Sequence, residues 1–234
     1  MASCGAVSAA PAPAKLVHDS PDPLKCKTCS KALDAAYRYL EEQSKAGVWP
    51  HSRFFMGFLY LVDGKHPDDL QSIVQEMGTS IYKLEDVSAN WHTGMSALFL
   101  AEYYRRNPSD ELKQRLIEIL KVAEARMEDT GGWCHNLGLS KKSGYVNRGG
   151  GVDLSILTAM MFSAMLEMQS AGIPVPPKML DAAQKNLEAN SDGLGIAYGT
   201  GNKVSDTAMG RGAFAWLGLR LAPERSCKLT ESVP

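Results

Sequence analysis

Tryptophan recurs at a fixed interval along the first part of this chain. Trp49, Trp91 and Trp133 follow one another at a spacing of 42 residues. A fixed period of about 20 to 50 residues is typical of stacked helical or β units, each of which buries its apolar face against its neighbours. The 234 residues are enough for several such units around one sizeable core. The first prediction is therefore a repeat architecture.

Each of these tryptophans lies between two segments of helical character. The first segment of a pair is amphipathic, with apolar residues every three or four positions, as at Leu112, Leu116 and Ile119. The second is apolar nearly all round, as in VDLSILTAMMFSAMLEMQ, which is typical of a buried helix. Such pairs predict an all-α fold of four antiparallel hairpins. The inner helices are expected near residues 52–62, 93–106, 153–169 and 205–220.

The segments outside the helices differ in composition. Residues 1–24 are rich in Ala, Pro and Ser and predict a flexible arm. Residues 25–222 are expected to form the repeat domain and residues 223–234 a flexible tail. The polar insert NLGLSKKSGYVNRGGG in the third repeat is expected to be either a lid or a solvated linker.

The corners between paired helices carry a family resemblance. Four hairpins with the corners GVWP, ANWH, GGWC and GLGIAYG resemble the α/α-toroid repeats of squalene and hopene cyclases and of protein prenyltransferase β subunits. The resemblance covers about residues 30 to 221 and implies a toroid-like array of hairpins. A full toroid of that family has about six hairpins, so four imply an incomplete toroid, a fragment, or a chain completed by association. The cyclases' aspartate-rich acid motif and the prenyltransferase zinc pattern have no match here.

Parallel inner helices would bring their first turns, and hence the corners, to one rim. Unpaired N–H groups at helix starts favour an anion or a thiolate there. We expect the rim and the concave centre of the array to bind a small molecule or a peptide. The residues expected to contact it are Trp49, Trp91, His92, Trp133, Tyr198 and Arg211.

The rim also holds side chains that zinc prefers. A zinc site needs three or four Cys, His or carboxylate ligands in tetrahedral reach, and His51, His92, Cys134 and His135 meet that number. The adjacent Cys-His pair is similar to the pair in lanthipeptide cyclases, which are α/α toroids that bind catalytic zinc. The structural alternative is that Trp133 packs the corner, Cys134 is a small buried thiol and His135 is solvated.

Three charged residues are candidates for catalysis. Asp153 most simply caps the helix that begins at Leu154, with a catalytic carboxylate as the alternative. Arg211 lies between two glycines in an apolar helix, where its charge needs an acidic partner or a bound anion. Asp206 or Asp153 would serve as that partner.

Cys26 and Cys29 form a Cys-x-x-Cys before the first helix. The pair is consistent with half of a zinc site, a redox dithiol, a disulfide, or two thiols at a helix N-terminal turn. Five cysteines in all are too few for a disulfide framework and favour a reducing, cytoplasmic location.

Composition limits the function classes. A net charge of −1 gives no reason to expect nucleic acid or an anionic membrane surface as a partner, and no apolar run approaches the length of a membrane span. Two hypotheses remain. The first is a ligand-binding protein, with a metal-assisted enzyme that uses zinc as cofactor as its catalytic form. The second is a non-catalytic module that holds a partner protein on its concave face or open ends. Four hairpins leave apolar edges, so we also expect a homo-oligomer.

Overall fold

The structure is a computed structural model, and it describes residues 25–46, 52–64, 66–80, 89–135, 153–191 and 195–202. These ranges contain helices and, between Ser191 and Ile196, one isolated antiparallel bridge. The predicted all-α class is confirmed for this part of the chain. The helices are α1 (Lys27–Ala46), α2 (Ser52–Asp63), α3 (Pro67–Ser80), α4 (Ala89–Arg106), α5 (Asp110–Arg126), α6 (Ser155–Ser170) and α7 (Pro177–Ala189).

The inner helices lie close to where the sequence pattern predicts them. α2, α4 and α6 begin and end within four residues of the expected boundaries. The prediction of a fourth inner helix near residues 205–220 falls outside the described residues, as do the predicted arm, the whole insert and the tail. No helix in the described ranges has the length and apolar character that crossing a membrane requires.

α1 belongs to a compact unit that ends at Ser52, whereas the remaining helices belong to a unit that begins at Arg53. At the start of α1, the sulfur of Cys26 accepts a hydrogen bond from the backbone N–H of Cys29 over 3.3 Å. This is the bond of a helix N-cap. Both cysteines are thiols, so the structure agrees with the capping interpretation and not with a disulfide.

α4 and α6 run side by side in the same direction. Gly94 and Met160 are each the sixth residue of their helix, and a Cβ on Gly94 would lie 3.1 Å from the Met160 sulfur. Near the other ends, Nε of Arg105 lies 3.9 Å from Oε2 of Glu167. Contacts near both ends require a parallel pair, and α4 and α6 share the most extensive helix–helix contact among the described helices.

The burial of each helix follows its sequence pattern. Twelve of the 16 side chains of α6 are buried, as expected of a helix that is apolar all round. Its four methionines, Met160, Met161, Met165 and Met168, lie in the core as predicted. α5 is buried along one face only, through its predicted stripe of Leu112, Leu116, Ile119 and Ala123. α5 packs against α4, and α7 packs against α6.

Candidate functional site

Two glycines build the corner that follows α5. Gly131 has a φ of +83°, in the left-handed region that favours glycine. A Cβ there would lie 2.5 Å from the carbonyl oxygen of Ala182 in α7. A Cβ on Gly132 would lie 2.8 Å from both Asp153 and Thr158. The corner is thus pressed between α7 and the start of α6, and a side chain at either position would separate them.

Trp133 anchors this corner. Its side chain is fully buried, and its indole N–H donates to the carbonyl oxygen of Ala123 in α5 over 2.8 Å. Its own carbonyl oxygen accepts a hydrogen bond from the N–H of Leu154 over 2.8 Å. The burial of the indole agrees with the corner interpretation of Trp133. A contact between Trp133 and a ligand stays a prediction.

Trp91 has a different role although it lies one repeat period before Trp133. It is the third residue of α4 and half-buried. Its indole N–H donates to Nδ1 of His135 over 2.9 Å. The preceding residue, Asn90, donates from its side chain to the carbonyl oxygen of Cys134 over 2.7 Å and from its backbone to that of His135 over 3.1 Å. The corners of the second and third repeats are therefore in direct contact.

The hydrogen bond from Trp91 determines which ring nitrogen of His135 carries the proton. A nitrogen that accepts a hydrogen bond carries no proton, so the neutral ring has its proton on Nε2. Burial lowers the pKa of His135, which favours this neutral form. While the bond to Trp91 holds, neither ring nitrogen has an available lone pair. A metal could bind His135 only if that bond broke.

Cys134 is buried, and its sulfur lies 3.4 Å from Oε1 of Glu128, in the position of a thiol that donates to a carboxylate. Within the described ranges, no three His, Cys, Asp or Glu side chains are grouped so that they could hold a metal ion. His92 is half-buried in the first turn of α4, whereas His51 lies outside those ranges. The four-residue zinc site therefore stays a prediction.

Asp153 is buried and is the centre of a hydrogen-bond network. Its Oδ1 accepts from the backbone N–H of Thr200 over 2.8 Å. Its Oδ2 accepts from Oγ1 of Thr130, from Nδ2 of Asn186 and from Oγ1 of Thr200, over 2.5, 2.9 and 2.9 Å. The helix-cap expectation is wrong, because Leu154 is the N-cap residue of α6 and no side chain caps it. Asp153 instead ties the third corner, α7 and the fourth corner together.

The fourth corner continues the same line of contacts. The carbonyl oxygen of Tyr198 accepts a hydrogen bond from the N–H of Ser155, the first residue of α6, over 3.0 Å. The Tyr198 side chain is 41% exposed. We call residues 90–91, 133–135, 153–155 and 198–200 the corner seam. Trp91, His135 and Tyr198 belong to it; the predicted site residues Trp49, His51, Asp206 and Arg211 lie outside the described residues.

Several residues that hold the seam together were not predicted. Asn186 and Asn190 are buried and bond to one another over 3.2 Å. They lie on the same face of α7 as the apolar residues Met179 and Ala183. Their position on that face is the sequence signal from which their burial could have been predicted. Arg126 is also buried, and it donates to Oγ1 of Thr93 in α4 over 2.6 Å; burial lowers its pKa.

Comparison with known proteins places the chain in a family. No curated protein and no solved structure matches it. The family model of a domain of unknown function, DUF6288, matches residues 29–226. That range holds every described helix except the first two residues of α1. The chain therefore belongs to the DUF6288 family.

Proposed function

We propose that this chain is a helical-repeat protein of the α/α-toroid type, an incomplete toroid of about four hairpins, and that it binds a small molecule or a short peptide at its rim. The observation that carries the proposal is the corner seam. Hydrogen bonds link the second, third and fourth corners in order, through Trp91 and His135 and then through Ser155 and Tyr198. Binding sites are commonly built where several such connections meet on a rigid scaffold.

The direction of the inner helices supports the toroid. α4 and α6 are parallel, and the segment 133–135 bonds to the first turn of α4 and to the N-cap of α6. In a closed or partly closed ring of hairpins, all inner helices run the same way and outer helices return between them. α5 and α7 have the amphipathic pattern and position of such returning helices.

The chemistry of the seam indicates what kind of ligand fits. Trp91 and Tyr198 offer aromatic surface, which suits a flat or apolar group. The neutral imidazole of His135 has an N–H at Nε2 that could donate to a ligand oxygen. We therefore propose a ligand with one planar or apolar group and one hydrogen-bond acceptor. Asp153 would act as support, because its carboxylate oxygens are already engaged by Thr130, Asn186 and Thr200.

Saturation-transfer difference NMR tests the binding proposal. A mixture of small aromatic acids, amides and dipeptides is added to wild-type chain and to the variants His135→Ala and Trp91→Ala. Tyr39→Ala is the matched control, since Tyr39 is an exposed aromatic residue on α1. We expect to find compounds that bind wild type and Tyr39→Ala. The same compounds should not bind the rim variants His135→Ala and Trp91→Ala, both of which must be shown to be folded. Binding that survives both rim variants contradicts the proposal.

Zinc content distinguishes a metal-assisted site from a metal-free one. The protein is purified without a histidine tag, and zinc is measured in wild type and in Cys134→Ala/His135→Ala. Stoichiometric zinc that the double variant loses would support a metal at the rim. If neither protein contains zinc, the proposal of a zinc site is contradicted. The proposal of a ligand site is then tested by the NMR experiment alone.

The alternative function is a non-catalytic module that holds a partner protein. A homo-oligomer of at least two chains is part of our proposal, because four hairpins do not close a ring. Light scattering at micromolar concentration checks it, and a clean monomer contradicts it. A cytoplasmic location also belongs to the proposal; the cysteines of the described ranges, Cys26, Cys29 and Cys134, are thiols.

A further inference from the structure

We propose that a second surface, a groove between α3, α4 and α5, binds an extended peptide segment. The groove has a volume of about 750 Å³, within the range of binding clefts. It is separate from the corner seam. Tyr103 and Asn107, which line it, follow Trp91 by 12 and 16 residues along α4 and the turn after it, or roughly 20 Å at the helical rise.

Two carboxamides on α3 match the repeat of an extended chain. Gln71 and Gln75 line the groove one helical turn apart, a rise of about 6 Å. Backbone groups on the same side of an extended peptide are two residues apart, or about 6.6 Å. The hydroxyl of Tyr103 donates to Oε1 of Gln71 over 3.2 Å. That bond orients the Gln71 carboxamide and leaves its NH₂ group to donate to a peptide carbonyl.

The opposite wall supplies an acceptor and little net charge. Nδ2 of Asn107 donates to the carbonyl oxygen of Tyr103 over 3.4 Å, which leaves Oδ1 of Asn107 to accept from a peptide N–H. Glu111 and Arg115 line the groove with opposite charges, and Arg115 also contacts Glu118 over 3.4 Å. An occupant without strong net charge fits this balance.

Gly78 gives independent support for an occupant. It lies inside α3, where glycine is less favourable than alanine. Packing does not require it, because a Cβ there would have the Arg115 side chain as its nearest neighbour at 3.7 Å, an ordinary contact. Gly78 lines the groove, so a larger residue would fill that space. A side chain larger than that of alanine would meet Arg115 and narrow the groove between them.

Selection from a phage-displayed library of random seven-residue peptides, followed by fluorescence anisotropy with a labelled selected peptide, tests the proposal on the full chain. We expect Gly78→Leu and Gln75→Ala each to weaken binding by about tenfold or more. Ser72→Leu introduces the same side chain at an exposed α3 position outside the groove, and it should leave affinity within about twofold.

Two further variants keep the outcomes distinct. Gly78→Ala should raise the melting temperature by about 1–4 °C. A lower melting temperature would mean that packing requires the glycine, and Gly78 would no longer support the groove proposal. His135→Gln should not change the affinity of the selected peptide. If no peptide is enriched, or if binding depends on His135 and not on Gly78, the groove proposal is overturned. The rim proposal is then judged by its own NMR experiment.

Discussion

The indole N–H of Trp91 donates to Nδ1 of His135 over 2.9 Å and so joins the corners of two successive repeats. The two residues are 44 positions apart in sequence. Their rings are tilted by 35°, with centroids 6.2 Å apart. The bond requires an unprotonated Nδ1 on His135. Of the hydrogen bonds that join the second and third corners, this one therefore depends on the charge of the His135 imidazole, whereas the two from Asn90 do not.

The first prediction concerns pH. Burial lowers the pKa of His135, so between that pKa and the unfolded value of about 6.5 the unfolded chain binds more protons than the native one. The stability that His135 contributes is complete above about pH 6.5 and is lost as pH falls through this window. We expect the melting temperature of wild type to fall more steeply from about pH 7 to pH 5 than that of His135→Gln. Glutamine keeps an acceptor for Trp91 but does not titrate.

The imidazole resonances of His135 provide a direct check. Their NMR titration midpoint should lie below about 6.5, the ordinary pKa of histidine. A midpoint above that value would mean that the protonated ring is favoured in the folded state. The direction of the predicted pH effect would then be wrong.

The second prediction concerns Asp153. Asp153→Ala removes the shared acceptor of Thr130, Asn186 and Thr200. It leaves the Asn186 donor buried and the two threonine donors partly buried. We expect the free energy of unfolding, measured by urea titration, to fall by about 3 kcal/mol or more. The control is Lys185→Ala, at an exposed position on α7, with an expected change within about 0.5 kcal/mol. Equal effects of the two variants would argue against the buried network.

The third prediction separates backbone conformation from packing in the corner. Gly131 and Gly172 have φ values of +83° and +78°, but only Gly131 has neighbours that a Cβ would meet within 4 Å. Gly172→Ala should lower the free energy of unfolding by about 1–2 kcal/mol, because alanine is disfavoured in the left-handed conformation. Gly131→Ala should lower the free energy of unfolding by about 1–3 kcal/mol more than Gly172→Ala does, because the corner must also move away from Ala182. Similar losses for both in urea titration would show that close packing against α7 contributes little.

The sequence was informative where one pattern decides the structure. Periodicity alone located α4 and α6 and predicted the core methionines, because burial on one face or on all faces is visible in the spacing of apolar residues. The tryptophan period was less informative. It found the corners but assigned Trp91 and Trp133 the same environment, whereas one lies in a helical turn and the other in the loop after α5.

Polar residues in the core were harder to predict. Asp153 looks like a helix cap in sequence because it precedes Leu154. Its partners Thr130, Asn186 and Thr200 come from three other segments of the chain, and no local pattern brings such segments together. The same reason explains why Arg126 was missed: its partner Thr93 is 33 residues away in sequence.

The shift of the Trp91 indole resonance tests the central proposal, that the joined corners form one ligand site, most directly. A compound found by saturation-transfer NMR is titrated into ¹⁵N-labelled chain, and ¹H–¹⁵N spectra are recorded. We predict that the Trp91 indole and His135 imidazole resonances shift together, with one dissociation constant, because both rings belong to the same site. A compound that binds while both resonances stay unchanged would contradict the account.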